Sequence, residues 1–188
     1  MKRLAVYCGS SLGASEAYKF GAIQLGKELA KRNITLVYGG SSNGLMGAVA
    51  DTVLLEGGHV IGVIPKVLVE REISHNGLTE LFTVDTMHER KAKMADLSDG
   101  FVVLPGGTGT LEEFFEVFTW GQIGLHQKPC GLLNIQHYYD PLISLFDHII
   151  EQNFLQEKFR SMIIMEEKPD ILIDRFLHYV APTVKSYD

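Results

Sequence analysis

The stretch that decides the fold is FVVLPGGTGTLEEFFEV, residues 101–117. It opens with a short apolar run, which predicts a buried parallel strand. The glycine-rich run 105–110 follows, and then a helical pattern begins with two adjacent carboxylates, Glu112 and Glu113. A strand that turns through glycines into a helix leaves free N–H groups at the positive end of that helix, where glycine lets a phosphate approach. The stretch therefore predicts a phosphate-binding loop, and its threonines add hydroxyl donors.

Short apolar strands alternate with helical patterns along the rest of the chain. The predicted strands are 4–8, 35–38, 59–64, 81–84, 100–104 and 131–134. The predicted helices are 16–32, 45–56, 87–97, 111–123, 141–152 and 170–179. Alternation of this kind is typical of a parallel sheet that is covered by helices on both faces. We therefore expect one doubly wound, Rossmann-like α/β domain over residues 1–188.

Composition and charge exclude several classes of partner. The formal net charge is −6, whereas nucleic-acid binding favours a clustered basic face. No apolar run approaches the roughly 20 residues of a membrane span, and the apolar start of the chain reads as a first strand. Cys8 and Cys130 are the only cysteines. Two cysteines do not make a disulfide framework, so we expect reduced thiols in a cytoplasmic protein without nucleic-acid or membrane partners.

Two further predicted strands also end in glycine-bearing turns. Gly9 and Ser10 follow the first strand, and Gly40 and Gly44 follow the second. In doubly wound sheets the ligand binds beyond the carboxyl ends of the strands, where the strand order reverses. Neither the dinucleotide fingerprint nor the P-loop pattern is present, so we expect a mononucleotide or sugar phosphate. The seven histidines lack metal-ligand spacing, and we predict neither a metal site nor a cofactor.

The second informative stretch is MHERKAKM, residues 87–94. Arg90 follows a predicted strand end at the start of a helix, where its planar fork could clamp a phosphate or a ribose hydroxyl. The alternative is that this charge run is a solvated helix face. The glycine loop that follows the next strand favours a functional interpretation, because both helices then begin at the same edge of the sheet.

These two stretches together resemble the LOG (Lonely Guy) family, which are cytokinin riboside 5′-monophosphate phosphoribohydrolases formerly described as lysine decarboxylase-like. The resemblance rests on MHERKAKM and PGGTGTLEEFFEVFTW, and it extends to VYCGSS, VYGGSSNGLMGAVAD, GVIP and QIGLHQKPCGLLNIQHYYDPL. It fades from about residue 155. The family implies hydrolysis of the N-glycosidic bond of a nucleoside 5′-monophosphate, either AMP or a cytokinin riboside monophosphate. The products are a free base and ribose 5-phosphate.

The resemblance also implies site residues. Its motifs place a catalytic arginine at Arg90 and a catalytic glutamate at Glu113, and further substrate contacts at Lys91, Glu72 and Thr119. The glycine loop and the turn behind it supply the rest of the implied substrate site, which comprises Gly106, Gly107, Thr108, Gly109, Thr110, Leu111 and Glu112.

Carboxylates suit this chemistry. Cleavage of an N-glycosidic bond builds oxocarbenium charge on the ribose, which a nearby carboxylate such as Glu113 stabilises, or the carboxylate activates water. Arg90 stays charged, so its expected role is electrostatic and positional. Glu112 points about 100° away from Glu113 on a helix, whereas Glu116 shares its face and is a second candidate for lining the site.

Two other functions stay open on the same residues. A non-catalytic nucleotide or cofactor carrier, such as the molybdenum-cofactor carriers that resemble this group, needs the phosphate loop but not the pair Arg90 and Glu113. An amino-acid decarboxylase needs a cofactor-binding lysine, and neither Lys66 nor Lys128 has a suitable context.

The predicted helix 111–123 is apolar around most of its circumference. Such a helix needs more cover than one sheet contact supplies. The cover comes either from the predicted helix 141–152 or from a second copy of the chain. We expect a homodimer, which the family resemblance also implies.

Overall fold

Across residues 1–70 and 74–184, which are the residues that this computed structural model describes, seven strands form one parallel sheet. In chain order the strands are β1 (Arg3–Tyr7), β2 (Thr35–Tyr38), β3 (Val60–Pro65), β4 (Glu80–Val84), β5 (Phe101–Val103), β6 (Cys130–Leu133) and β7 (Ile163–Glu166). The α-helices are α1 (Glu16–Lys31), α2 (Gly44–Leu55), α3 (Lys66–Val69), α4 (Met87–Leu97), α5 (Thr108–Gln122), α6 (Asp140–Glu151) and α7 (Pro169–Leu177).

The sheet has a hydrophobic cluster on each face, because successive side chains of a strand point to opposite sides. On β1, Leu4 and Val6 pack into one cluster, which includes side chains of α1, α2 and α7. Ala5 and Tyr7 pack into the other cluster, together with side chains of α4, α5 and α6. The predicted doubly wound α/β class, with helices on both faces, is confirmed.

The strand order places a reversal between β1 and β5. The order is β4-β3-β2-β1-β5-β6-β7, so the chain winds outward from β1 in one direction and from β5 in the other. Connections that leave these two neighbouring strands diverge, which opens a crevice beyond their carboxyl ends. The loops stay in contact at the base of the crevice, where Gly9 N donates a hydrogen bond of 3.0 Å to Pro105 O.

Three features of the fold differ from the sequence prediction. The predicted strands end at residue 134, but β7 extends the sheet beyond β6. Strand β7 has four residues and helix α3 is a single turn. Both are too short for their sequences to show a hydrophobic period. Helix α5 begins at Thr108 rather than at residue 111, so the end of the glycine-rich run forms its first turn. Within the described residues, none of the helices is long and apolar enough to span a membrane.

Candidate active site

A cavity of about 520 Å³ opens beyond the carboxyl ends of β1, β2, β3 and β5. It therefore lies at the reversal of strand order, as the fold requires. Its wall brings together many of the predicted site residues, which are Gly9, Ser10, Arg90, Gly107, Thr108, Gly109, Thr110, Glu112 and Glu113. The glycine loop, the arginine and the carboxylates thus share one space.

Other predicted site residues lie outside this wall. Lys91 is buried behind α5, and Thr119 is exposed further along the same helix. The remaining ones are close to the loops that line the cavity but do not line it themselves: Gly40, Gly44, Gly106 and Leu111. Glu72 lies outside the residues that the structure describes.

Arg90 is held in the wall by contacts from three elements. Helix α4 begins there because Thr86 caps it, its hydroxyl accepting from Glu89 N at 3.1 Å. The guanidinium Nε donates to Val63 O at 3.2 Å, and the side chain is 10% exposed. Its Nη2 lies so close to Gly39 that any Cβ at that position would overlap it. A glycine at the end of β2 is therefore what admits the guanidinium, and sequence reasoning missed it.

Glu113 faces Arg90 across a short gap. Its Oε1 is 3.6 Å from Arg90 Nη1, and only 8% of the residue is exposed. Burial raises the pKa of Glu113 to about 7, although Arg90 opposes this shift, and the neighbouring Glu112 adds to it. A carboxyl group with this pKa is present in both its ionised and its protonated form at neutral pH, which suits acid–base and electrostatic catalysis.

The start of α5 supplies the anion-binding part of the cavity. Gly107 is the N-cap residue and provides no side-chain cap, and the first turn contains no acidic residue. The N–H groups of that turn therefore have no intrahelical acceptor and lie at the positive end of the helix. Because Thr108, Gly109 and Thr110 line the cavity, these donors are available to a phosphate there.

Two adjacent glycines of the loop differ in the space around them, which yields a prediction. A Cβ at Gly106 would overlap the Thr110 hydroxyl and lie 2.9 Å from Gly9 N, whereas a Cβ at Gly107 would meet nothing within 4 Å. We expect Gly106→Ala to lower the free energy of unfolding by about 1–3 kcal/mol. Gly107→Ala should cost less than about 1 kcal/mol, because alanine is a poorer N-cap than glycine, but it should weaken phosphate binding about tenfold, because its methyl group occupies the cradle. Thermal unfolding and titration with AMP measure both effects. Equal stability losses for the two variants would contradict this account.

Tyrosine hydroxyls brace the glycine loop from the opposite side. Tyr139 Oη donates to Leu104 O and Tyr138 Oη donates to Gly106 O, each at 2.6 Å. Asn134 at the end of β6 fixes the first of these, because its Oδ1 accepts from Tyr139 N at 2.7 Å. The loop conformation is thus maintained by the connection between β6 and α6.

The far wall of the cavity is apolar and was not predicted. It is formed by Met46, Ile64, Leu68, Met87 and Met94. Met87 and Met94 lie seven residues apart on α4, a spacing that places both on one helix face and that was visible in MHERKAKM. Flexible, polarisable side chains of this kind suit a planar aromatic ligand. Among residues 1–70 and 74–184, there is no group of three or more His, Cys, Asp or Glu arranged to hold a metal ion.

The fold and this crevice define a Rossmann-like protein with a glycine-rich helix N-terminus and a buried arginine–glutamate pair at its switch point. Comparison with known proteins then gives the family. Residues 46–176 match the family described as "Possible lysine decarboxylase". Two curated relatives are named as phosphoribohydrolases: "Probable cytokinin riboside 5′-monophosphate phosphoribohydrolase LOGL2" of Oryza sativa subsp. japonica is 51% identical over 95% of this chain and 73% of its own. "Cytokinin riboside 5′-monophosphate phosphoribohydrolase LOG1" of Arabidopsis thaliana is 50% identical over 95% of this chain and 84% of its own. The chain belongs to the LOG family.

Solved structures agree on the fold. The molybdenum cofactor carrier protein of Chlamydomonas reinhardtii superimposes with a TM-score of 0.71 over 95% of this chain and 99% of its own. The two chains share 18% of their residues, so this similarity concerns the architecture alone.

Proposed function

We propose that this chain hydrolyses the N-glycosidic bond of a nucleoside 5′-monophosphate, such as AMP or a cytokinin riboside monophosphate, to a free base and ribose 5-phosphate. The observation that carries the proposal is the pair Arg90 and Glu113, 3.6 Å apart in the wall of the cavity that the open end of α5 also lines. Relatives of about 50% identity named for this activity support it.

The geometry suggests how the residues share the work. The N-terminus of α5 binds the phosphate, which fixes the nucleotide by a group remote from the reacting carbon. The ribose then lies near Glu113, whose ionised form stabilises the oxocarbenium charge or activates the attacking water. Arg90 keeps its own charge and holds that carboxylate in place. The apolar wall with Met46 and Met87 accommodates the base.

An assay with matched substrates tests this function. Purified protein is incubated with AMP, with isopentenyladenosine monophosphate and with adenosine, and free base is measured by chromatography. We expect base release from at least one monophosphate, with a kcat/KM at least about 100-fold above that for adenosine, because charged hydrogen bonds to the phosphate contribute several kcal/mol. Efficient cleavage of adenosine would refute the phosphate cradle.

The same experiment separates the other two functions. A carrier would bind a monophosphate tightly and release no base. A decarboxylase would require a lysine at the reacting centre, and no lysine is among the described residues that line the cavity. Neither alternative function makes use of a buried glutamate whose pKa is raised to about 7.

We also propose a homodimer, but not because helix α5 needs further cover, which was the reason that the sequence offered. Three aromatic side chains of α5 are covered within one chain, because Phe146 of α6 contacts Phe114, Phe115 and Phe118 with ring centroids 5.2–6.0 Å apart. The exposed large apolar residues include four at the end of α5 and on or after α6: Ile123 at 44%, Leu125 at 68%, Leu145 at 48% and Phe154 at 84%. A partner that buries them would need an interface of at least about 1,000 Å².

Sedimentation or light scattering at micromolar concentration tests the assembly. We expect a mass of twice 20.9 kDa for the wild type. Phe154→Ser should shift the equilibrium towards the monomer without destabilising the fold, since this side chain is 84% exposed in the single chain. A fully active species of 20.9 kDa would exclude the dimer as the working form.

The remaining expectations from the sequence are proposals of the same kind. We propose that residues 1–188 form one domain, which the single sheet supports. The buried free thiols Cys8 and Cys130 are typical of a reducing compartment and support a cytoplasmic location. A net charge of −6 supports the absence of nucleic-acid and anionic-membrane partners.

A further inference from the structure

Lys91 lies behind the candidate active site and is paired with two carboxylates of α5. Its side chain is 6% exposed, and Nζ is 2.7 Å from Glu112 Oε1 and 3.1 Å from Glu116 Oε2. Burial works to lower the pKa of Lys91, but the hydrogen bond to Glu112 and the ion pair with Glu116 outweigh it and raise the pKa. The ammonium group is therefore fully charged at neutral pH.

The sequence of α5 explains why a cation is needed at this place. Three carboxylates, Glu112, Glu113 and Glu116, lie within little more than one helical turn. Like charges at this spacing destabilise each other and disfavour ionisation of the most buried member, which is Glu113 at 8% exposure. A single buried ammonium that contacts the other two carboxylates offsets much of their negative charge.

The charged and titratable groups around Glu113 come from its own helix, α5, and from two elements packed against it. Strand β1 contributes neutral groups whose pKa burial raises, helix α4 contributes cations, and helix α5 contributes anions: Tyr7, Cys8, Arg90, Lys91, Glu112 and Glu116. Of these groups, the two cations favour the ionised carboxylate of Glu113. Arg90 does so directly from the cavity wall, and Lys91 does so from behind the helix.

We propose that Lys91 is a positioning residue that acts through Glu112 and Glu116, neutralising these two carboxylates beside Glu113. This inference rests on the proposed function of Glu113. It differs from a substrate contact, because Lys91 does not line the cavity and both of its carboxylate partners belong to α5.

Titration of Glu113 by carbon-13 NMR of labelled glutamate carboxyl groups tests the inference without any substrate. The Glu113 signal is assigned as the one that is missing in Glu113→Gln. Lys91→Met should raise the titration midpoint of Glu113 by about one pH unit, because it removes a cation and leaves two anions uncompensated. Lys91→Arg should keep the wild-type midpoint.

Two further variants make the test specific. Lys91→Met combined with Glu112→Gln and Glu116→Gln should return the midpoint to near the wild-type value, because the cation and both anions are then absent. Lys93→Met is the matched control on the same helix, since Lys93 Nζ lies 4.7 Å from the Phe82 ring centroid on the β4 side. It should leave the midpoint unchanged. If Lys91→Met folds poorly, Glu112→Gln with Glu116→Gln gives the opposite test, a midpoint below the wild-type value.

An unchanged midpoint in Lys91→Met, or an equal shift in Lys93→Met, would overturn the proposal. Kinetics then distinguish positioning from substrate contact. A positioning role moves the acid limb of the kcat profile by the same pH interval as the NMR midpoint, whereas a substrate contact raises KM at every pH and moves neither. Because the NMR readout needs no turnover, it stays decisive even if the proposed reaction itself proves wrong.

Discussion

Glu113→Gln should lower kcat by roughly 100- to 1,000-fold while the protein keeps its fold, because the amide has the shape of the carboxyl group but cannot carry negative charge. The substituted side chain stays in the same buried position opposite Arg90. Base release from the preferred monophosphate measures the activity, and circular dichroism measures the fold. Glu151→Gln on α6, where the wild-type side chain is 73% exposed, is the matched control. Near-normal turnover in a folded Glu113→Gln protein would remove this residue from the mechanism.

The same variant should change how stability depends on pH. In the folded protein the pKa of Glu113 is raised from 4.5 to about 7, so the native state retains its proton longer than the unfolded chain does. Stability contributed by this group is therefore present below pH 4.5 and is lost as pH rises through about 7. Relative to Glu113→Gln, the wild type should lose on the order of 3 kcal/mol between about pH 4 and pH 8. Denaturant unfolding at these two pH values measures the difference, and parallel curves for both proteins would contradict it.

Ionisation of Glu113 should also make activity depend on pH, but activity should rise with pH where stability falls. If the ionised carboxylate is the working form, kcat of the wild type should rise as pH increases through about 7 and then level off. The residual activity of Glu113→Gln should lack this limb.

Arg90→Met should also cost roughly 100-fold or more in kcat, because it removes the cation that faces Glu113 and leaves that carboxyl without its partner. Gly39→Ala should reproduce much of this loss although it changes no charge. Its methyl group would overlap Nη2 of Arg90, so the guanidinium must shift from its present place. If Arg90→Met and Gly39→Ala both lower kcat, activity depends on where the guanidinium of Arg90 lies.

Kinetics and NMR together check this pair. Arg90→Met should also raise the titration midpoint of Glu113, since Arg90 opposes the effect of burial. Arg160→Met serves as the control, because Arg160 pairs with Asp147 outside the cavity at 2.7 Å. Wild-type activity in Gly39→Ala would show that the guanidinium does not need its present place.

The fold was predictable to the extent that its elements carry local signals. Buried strands such as β5 appear as apolar runs that end in glycine or proline, and helices such as α4 match their predicted bounds, Met87–Leu97. The edge strand β7 was not predictable in this way, because it is short and is defined by its pairing with β6. The sequence left two ways to cover α5, by the predicted helix 141–152 or by a second copy, and only the packing of the two helices shows that Phe146 of α6 covers it.

The candidate site divides along similar lines. Arg90 and Glu113 follow consecutive strands, so their meeting at one edge of the sheet was an expectation from topology, reinforced by family resemblance. The position of Lys91 could not be expected from topology. Neighbouring residues on a helix point about 100° apart, and only tertiary packing shows which of them faces the cavity. Gly39 likewise looks like an ordinary turn glycine until the guanidinium is seen against it.

The hydroxyls of Tyr138 and Tyr139 have a consequence for the thermodynamics of recognition. Both donate to carbonyls of the segment that carries the glycine loop, and both come from the connection that follows the neighbouring strand β6. A loop that is preorganised in this way loses little conformational entropy when an anion arrives, so more of the interaction energy appears as affinity. The favourable enthalpy of phosphate binding should therefore be accompanied by only a small entropic penalty. Replacing both tyrosines by phenylalanine should enlarge that penalty and slow recognition.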